Sequence, residues 1–131
     1  MVELSKGLKI ILIVDILVAL YYGVLYLLLP EYYYQMNDAP AFDLHMWRLF
    51  GGTIFVLGIA GVLALRRGEW ETMKPLMEVV ILWLIMVAVL DIIWVLTVSA
   101  SATYVRSIST TIVLLIILII ANIIFYRREG R

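Results

Sequence analysis

The sequence predicts an all-α, polytopic membrane protein built as an antiparallel, up-down four-helix transmembrane bundle. Two observations carry this prediction: the composition and four long apolar segments. Of the 131 residues, 65% are hydrophobic and 15% are charged, and the mean hydropathy is +1.07. Soluble domains are typically about half apolar and about one quarter charged, so the composition favours a chain embedded in lipid.

Four segments are long and apolar enough to cross a bilayer, which takes about 20 residues of helix. The predicted spans cover about residues 8–29, 47–65, 76–98 and 107–126. The segments that connect them are short and polar, so consecutive helices should be antiparallel neighbours. Residues 1–131 are therefore predicted to form a single transmembrane domain.

The distribution of basic residues predicts the orientation of the bundle, because cytoplasmic loops carry an excess of Lys and Arg. With four spans, both termini and the second connection lie on one side of the membrane. The opposite side holds two basic residues, Arg48 and Arg106, against eight on the side of the termini. Both termini are thus expected to be cytoplasmic, in a multi-pass protein of the cell membrane. The eight residues are Lys6, Lys9, Arg66, Arg67, Lys74, Arg127, Arg128 and Arg131.

Several functional classes are excluded or disfavoured by the residue types present. Cysteine is absent and His45 is the one histidine, which excludes disulfides, cysteine nucleophiles and multi-histidine metal or haem ligation within the chain. The formal net charge is zero, so nothing favours nucleic acid as a partner. The sequence contains no phosphate loop, nucleophile elbow or HExxH motif. We therefore expect no metal and no cofactor, and a non-enzymatic role is favoured over an enzymatic one.

Two acidic residues lie inside the predicted spans. At about 1.5 Å per residue, Asp15 lies roughly 10 Å deep in the first span, and Asp91 lies roughly 22 Å from the cytoplasmic face in the third. An aspartate near mid-membrane costs about 2.5–3.5 kcal/mol to insert, so each should be sheltered by protein. Asn122, at a depth of roughly 6 Å, is predicted to reach Asp15. Tyr22 is level with Asp91 and is placed to donate a hydrogen bond to it.

Helical spacing places further polar and aromatic residues near the two aspartates. Asp15, Tyr22 and Tyr26 share one face of the first span, which is expected to point into the bundle. Arg48 begins the second span and is predicted to cap the interior from outside. Trp94 lies on a face of the third span that either lines an apolar cleft or contacts lipid. The predicted residues of a ligand or ion pathway are Asp15, Tyr22, Tyr26, Arg48, Asp91, Trp94 and Asn122.

A purely structural role is the alternative for these polar residues. Uncharged carboxyl groups would each make one interhelical hydrogen bond, worth about 0.6–2 kcal/mol, and would fix the register of the helices. The small-residue face of the second span, formed by Gly51, Gly58 and Gly61, has two interpretations as well. It packs either against another helix of the same chain or against a second copy in a homo-oligomer.

The stretch "MWRLFGGTIFVLGIAGVLALRR", residues 46–67, resembles the second helix of small DoxX-like four-helix membrane proteins. Those proteins often open this helix with an arginine, here Arg48, followed by a small-residue-rich apolar run. The resemblance implies the four-helix layout and little chemistry, and no family site carries over beyond Arg48.

Three functional hypotheses follow from the sequence. The first is a non-enzymatic membrane protein whose polar-lined interior binds a lipid or another apolar small molecule. The second is an oligomeric ion or proton transport protein that uses Asp15 and Asp91. The third is a structural or accessory subunit of a membrane complex. Membrane lipid is the expected partner in each case.

Overall fold

A computed structural model of the chain describes residues 3–130, and the fold is all-α. Within these residues there are five helices, four of which are long and apolar enough to cross a membrane. The chain is therefore a multi-pass helical membrane protein, as the sequence predicts. Arg131, which contributes to the predicted orientation, lies outside the described residues. The helices are α1 (Lys6–Leu28), α2 (Pro30–Asn37), α3 (Leu44–Arg67), α4 (Trp70–Thr97) and α5 (Ala102–Glu129).

The four long helices begin before the predicted spans, and in α1, α3 and α5 the first residue follows a capping side chain, whereas α4 has no side-chain cap. The Ser101 side chain accepts a hydrogen bond of 3.2 Å from the Tyr104 amide and starts α5 five residues before the predicted span. Asp43 caps α3 in the same way through the Met46 amide at 3.0 Å. Such caps satisfy amides that have no partner within the helix. At the other end of α3, Gly68 adopts φ +71°, a left-handed conformation that glycine accepts without strain.

The short helix α2 was not predicted, because residues 30–46 were treated as a polar connection. Pro30 occupies its first turn, where the missing amide hydrogen costs nothing. Within α2, Tyr33 is buried, and the Asn37 side chain donates a hydrogen bond of 2.8 Å to the Tyr33 carbonyl. The Ser107 hydroxyl in turn donates to Asn37, so α2 is held against the start of α5.

The four long helices form a closed ring in up-down order. α1 packs against α3 and α5, and α4 packs against the same two helices. Within residues 3–130, the diagonal pairs α1–α4 and α3–α5 make no close backbone approach. The predicted antiparallel bundle is confirmed, and the ring leaves space along its axis.

The glycines of α3 allow a close approach to α1. A Cβ on Gly51 would lie 2.6 Å from the Leu27 amide nitrogen and 2.7 Å from the Tyr26 Cβ. Gly58 and Gly61 meet side chains of α1 in the same manner, and all three glycines are buried. They therefore pack within the chain. Self-association stays a prediction, and it would have to use another surface.

One end of the bundle, which we call the termini end, is closed by an apolar core. Leu8 and Met73 are fully buried there and Met77 is 1% exposed, and they pack with Trp70. The chain is also tied together at this end, because the Leu4 amide donates to the Gly68 carbonyl at 3.3 Å. The opposite end, which we call the loop end, carries α2 and the connection between α4 and α5. In the predicted orientation, the termini end faces the cytoplasm.

Candidate functional site

A narrow cavity of about 130 Å³ runs along the axis of the bundle. Each of the four long helices contributes to its wall, and we call it the axial cavity. On α4 the wall extends from Met73 to Asp91, roughly 27 Å of helix at about 1.5 Å per residue. Nearly all of the lining is apolar. The polar or ionisable residues that line it are Asp15, Tyr22, Tyr26, Asp91, Thr111 and Asn122.

Asp15 and Asn122 meet across the α1–α5 interface, near the termini end of the axial cavity. The Asn122 amide nitrogen donates a hydrogen bond of 3.0 Å to Asp15 Oδ1, which confirms the contact predicted from depth. The same nitrogen donates a second hydrogen bond, of 2.8 Å, to the Leu118 carbonyl one turn earlier in α5. Asn122 is fully buried, whereas Asp15 is half-buried.

Two oxygen atoms of this pair have no hydrogen-bond partner. Asp15 Oδ2 and Asn122 Oδ1 are both buried and unsatisfied within residues 3–130. The orientation of the amide is not arbitrary, since the atom facing the Leu118 carbonyl must be the nitrogen. An unsatisfied buried acceptor costs about 1–3 kcal/mol. Both residues line the axial cavity, so two unsatisfied acceptors belong to side chains of its wall.

Asp91 lies near the other end of the axial cavity, where a second cavity begins. This second cavity, of about 420 Å³, lies at the loop end, and we call it the vestibule. Tyr26, Phe50 and Asp91 line both cavities, so the two meet at these side chains. No side chain within residues 3–130 donates a hydrogen bond to the Asp91 carboxylate. The hydrogen bond predicted from Tyr22 is thus not formed.

Aromatic rings surround the junction between the two cavities. The Tyr26 ring centroid lies 5.1 Å from those of Tyr33, Trp47 and Phe50. Phe50 also stacks on Trp83 at 6.0 Å, inside the axial cavity. Burial raises the pKa of Tyr33, in α2, to about 12. Rings from α1, α2, α3 and α4 therefore meet at the junction.

The remaining predicted site residues lie at the loop end. Trp94 lines the vestibule and donates a hydrogen bond of 2.8 Å from its indole nitrogen to the Tyr104 hydroxyl. Arg48 is exposed and lines neither cavity. The preceding residue, Trp47, lines the vestibule. Because consecutive side chains on a helix are rotated by about 100°, Arg48 points away from it. The structure therefore brings Asp15, Tyr22, Tyr26, Asp91 and Asn122 to the axial cavity, Trp94 to the vestibule, and Arg48 to neither.

Sequence reasoning missed the wall that the first connection contributes to the vestibule. Ala39, Pro40, Ala41, Phe42 and Asp43 all line it. Phe42 packs on Trp47 with ring centroids 5.4 Å apart. The signal available was an apolar run with a proline and an aromatic residue inside a loop otherwise rich in polar residues.

No arrangement of three or more metal-ligating side chains occurs among residues 3–130. Comparison with known proteins adds no further assignment, because no family model, curated protein or solved structure matches the chain. The resemblance to DoxX-like proteins stays a prediction.

Proposed function

We propose that this chain is a non-enzymatic protein of the cell membrane that binds a narrow, mostly apolar small molecule in the axial cavity. One observation carries the proposal: Asp15 and Asn122 line that cavity, and each has one buried oxygen, Oδ2 of Asp15 and Oδ1 of Asn122, without a hydrogen-bond partner within residues 3–130. A pocket with apolar walls and a few convergent polar groups is the usual form of a small-molecule site. The polar pair would orient the ligand, and the apolar walls would supply most of the affinity.

The dimensions of the axial cavity limit the ligand. Its volume of about 130 Å³ is close to that of an engineered cavity of about 150 Å³ that holds benzene. Typical ligand pockets enclose about 300–1,000 Å³. A single alkyl chain or one small ring suits this space, whereas a whole lipid with two chains does not. Any bulkier part of the ligand would remain in the vestibule.

The two ends of the axial cavity favour binding over conduction. At the loop end it meets the vestibule beside Asp91. At the termini end it stops against Leu8, Met73 and Met77, which are almost completely buried. Water-filled conduction would need a polar route through that core. A ligand would thus enter and leave through the vestibule, which faces away from the cytoplasm in the predicted orientation.

The proposal is tested by closing the axial cavity with one bulky side chain. Val87 lines the cavity, whereas Val89, on the same helix, is 46% exposed on the outer surface. Saturable binding of labelled 1-octanol to the full chain in nanodiscs, above that of empty nanodiscs, should be lost in Val87→Phe and kept in Val89→Phe. Equal binding by the two variants, or no saturable binding by the natural chain, would contradict the proposal. Trp83 fluorescence supplies a second readout, because this ring lines the cavity.

A further inference from the structure

We infer that the ligand is a primary or secondary amine, bound as its ammonium ion, with the charged nitrogen between Asp15 and Asn122. The inference rests on the proposed function and names the chemistry of the ligand's polar end. Three features of the cavity support it: the hydrogen-bonding sense of the unsatisfied atoms, the sign of the charged residues along the route, and the aromatic rings at the entrance.

The first feature is that the polar end of the axial cavity offers acceptors. Both hydrogens of the Asn122 amide are already used, one toward Asp15 Oδ1 at 3.0 Å and one toward the Leu118 carbonyl at 2.8 Å. What remains is Asp15 Oδ2 and Asn122 Oδ1. An ammonium ion beside Asp15 favours the ionised carboxylate, and an ionised carboxylate and an amide oxygen both only accept hydrogen bonds. The complementary group must donate at least two hydrogens. A primary or secondary ammonium does so, whereas a carbonyl or ether oxygen donates none and an alcohol donates one.

The second feature is the charge of the residues along the route. Asp91 lines the junction and Asp15 lines the inner part of the axial cavity. Among residues 3–130, no lysine, arginine or histidine lines either cavity. A carboxylate removed from water needs an opposite charge and hydrogen bonds to offset the loss of hydration. Because the chain places no basic side chain there, a cationic ligand would neutralise a carboxylate that otherwise has to take up a proton.

The third feature is the ring-lined entrance. Tyr26, Trp47, Phe50, Trp94 and Tyr104 all contribute to the vestibule, and Asp91 lies among them. Organic cations are attracted to the faces of aromatic rings, most strongly to tryptophan. The entrance thus combines rings with a carboxylate that carries no side-chain hydrogen bond. It would admit a cation ahead of an anion of the same shape and pass it to Asp15.

The test compares three ligands with the same eight-carbon chain on the full protein in zwitterionic nanodiscs near neutral pH. These are octylammonium, octyltrimethylammonium and 1-octanol. Octylammonium should bind at least about tenfold more tightly than each of the other two, because one charge-assisted hydrogen bond is worth that factor. The quaternary ion keeps the charge but lacks the hydrogens, so it separates hydrogen bonding from simple attraction to the rings.

The outcomes separate failure of this inference from failure of the proposed function. If the alcohol or the quaternary ion binds as tightly as octylammonium, the ammonium assignment is overturned while the apolar cavity survives as a site. If none of the three shows saturable binding, the proposed function itself fails. If a water molecule bridges Asp15 and Asn122 in place of a ligand nitrogen, octylammonium should bind no more tightly than the alcohol.

A variant pair adds a residue-level control. Asp15→Asn removes the carboxylate but keeps its size, and it should reduce the preference for octylammonium over 1-octanol to about twofold or less while 1-octanol still binds. Glu78→Gln also neutralises a carboxylate of the bundle, but Glu78 lies outside both cavities and bonds Tyr126. It should leave the preference unchanged. An unchanged preference in Asp15→Asn would overturn the inference, and the ligand comparison on the natural chain stands even if that variant fails to fold.

Discussion

Asn122 and Asp15 are joined by one hydrogen bond of 3.0 Å across α1 and α5, and Asp15 Oδ2 and Asn122 Oδ1 are both buried without a partner within residues 3–130. The sequence left open whether such residues stabilise the bundle or form a binding site. This pair has the geometry for both roles, since the bond links two helices and both residues line the axial cavity. The stabilising role and the binding role therefore predict different measurable effects.

The stabilising role predicts energetic coupling between the two residues. Asp15→Ala, Asn122→Ala and the double variant form a cycle in which the interaction energy should be about 0.6–2 kcal/mol in favour of the natural pair. Equilibrium unfolding in mixed micelles with increasing dodecyl sulfate measures it. If the two single effects simply add, the bond contributes nothing to stability.

The close α1–α3 contact predicts opposite effects at two adjacent glycines. Gly51→Ala places a Cβ 2.6–2.8 Å from backbone and Cβ atoms of Leu27 and Tyr26, which must move apart, and overpacking of this kind costs about 1–3 kcal/mol. Gly52→Ala meets nothing within 4 Å, so it should be neutral or stabilise the helix by up to about 1 kcal/mol. Equal effects of the two substitutions on unfolding would show that α1 and α3 do not approach as described.

The predicted orientation is open to chemical labelling, because the chain has no cysteine of its own. Gln35→Cys in α2 and Glu71→Cys in the first turn of α4 introduce exposed thiols at the two ends of the bundle. In intact cells a membrane-impermeant maleimide should label Gln35→Cys, and it should label Glu71→Cys only after lysis. The reverse pattern would place the vestibule in the cytoplasm.

The apolar core at the termini end predicts that the chain does not conduct ions or protons. Proteoliposomes containing the natural chain should show the same proton flux as empty liposomes, and an Asp15→Asn, Asp91→Asn double variant should not differ from them. The reason is that Leu8 and Met73 are fully buried where a conduit would have to pass. Flux above background that disappears in the double variant would favour the transport hypothesis instead.

Burial of Tyr33 predicts a loss of stability at high pH. The pKa of Tyr33 is about 12 in the folded chain, against about 10 for an exposed tyrosine. Since the unfolded state releases the proton first, the contribution of Tyr33 is complete below about pH 10 and decreases as the pH rises toward 12. The free energy of unfolding of the natural chain should fall relative to that of Tyr33→Phe between about pH 10 and pH 12, and the difference between the two proteins should be constant below about pH 10. A pH-independent difference between them would contradict the burial of the hydroxyl.

The contact between Asp15 and Asn122 was predictable because helical rise fixes depth, and only Asn122 has a polar side chain at a matching depth on a helix that neighbours α1. The up-down topology followed from the short connections in the same way. By contrast, depth alone predicted a Tyr22–Asp91 hydrogen bond that does not form, because level residues on α1 and α4 sit on opposite sides of the ring. Helical rise predicts the depth of a residue along the bundle axis, whereas the order of the helices in the ring decides which residues at that depth can touch.

The vestibule could not be predicted from hydropathy, because it depends on how a loop folds back. Residues 39–43 are a short, mostly apolar run inside a polar connection, and hydropathy does not show that Ala39 is buried or that Phe42 packs on Trp47. Similarly, the glycines of α3 indicated a close contact but not its partner. The partner is α1, because Gly51 of α3 lies directly against Tyr26 and Leu27 of α1.

The measurement that most directly tests the central claim is photo-crosslinking of an eight-carbon ligand that carries a diazirine on its chain. After illumination in nanodiscs, mass spectrometry should find adducts on residues of the axial cavity such as Val87 and Leu115, and these adducts should disappear in Val87→Phe. Adducts confined to outward-facing residues such as Val89 and Ile117, which are 46% and 58% exposed, would show that the ligand occupies only the surrounding lipid, and the axial cavity would then not be a binding site.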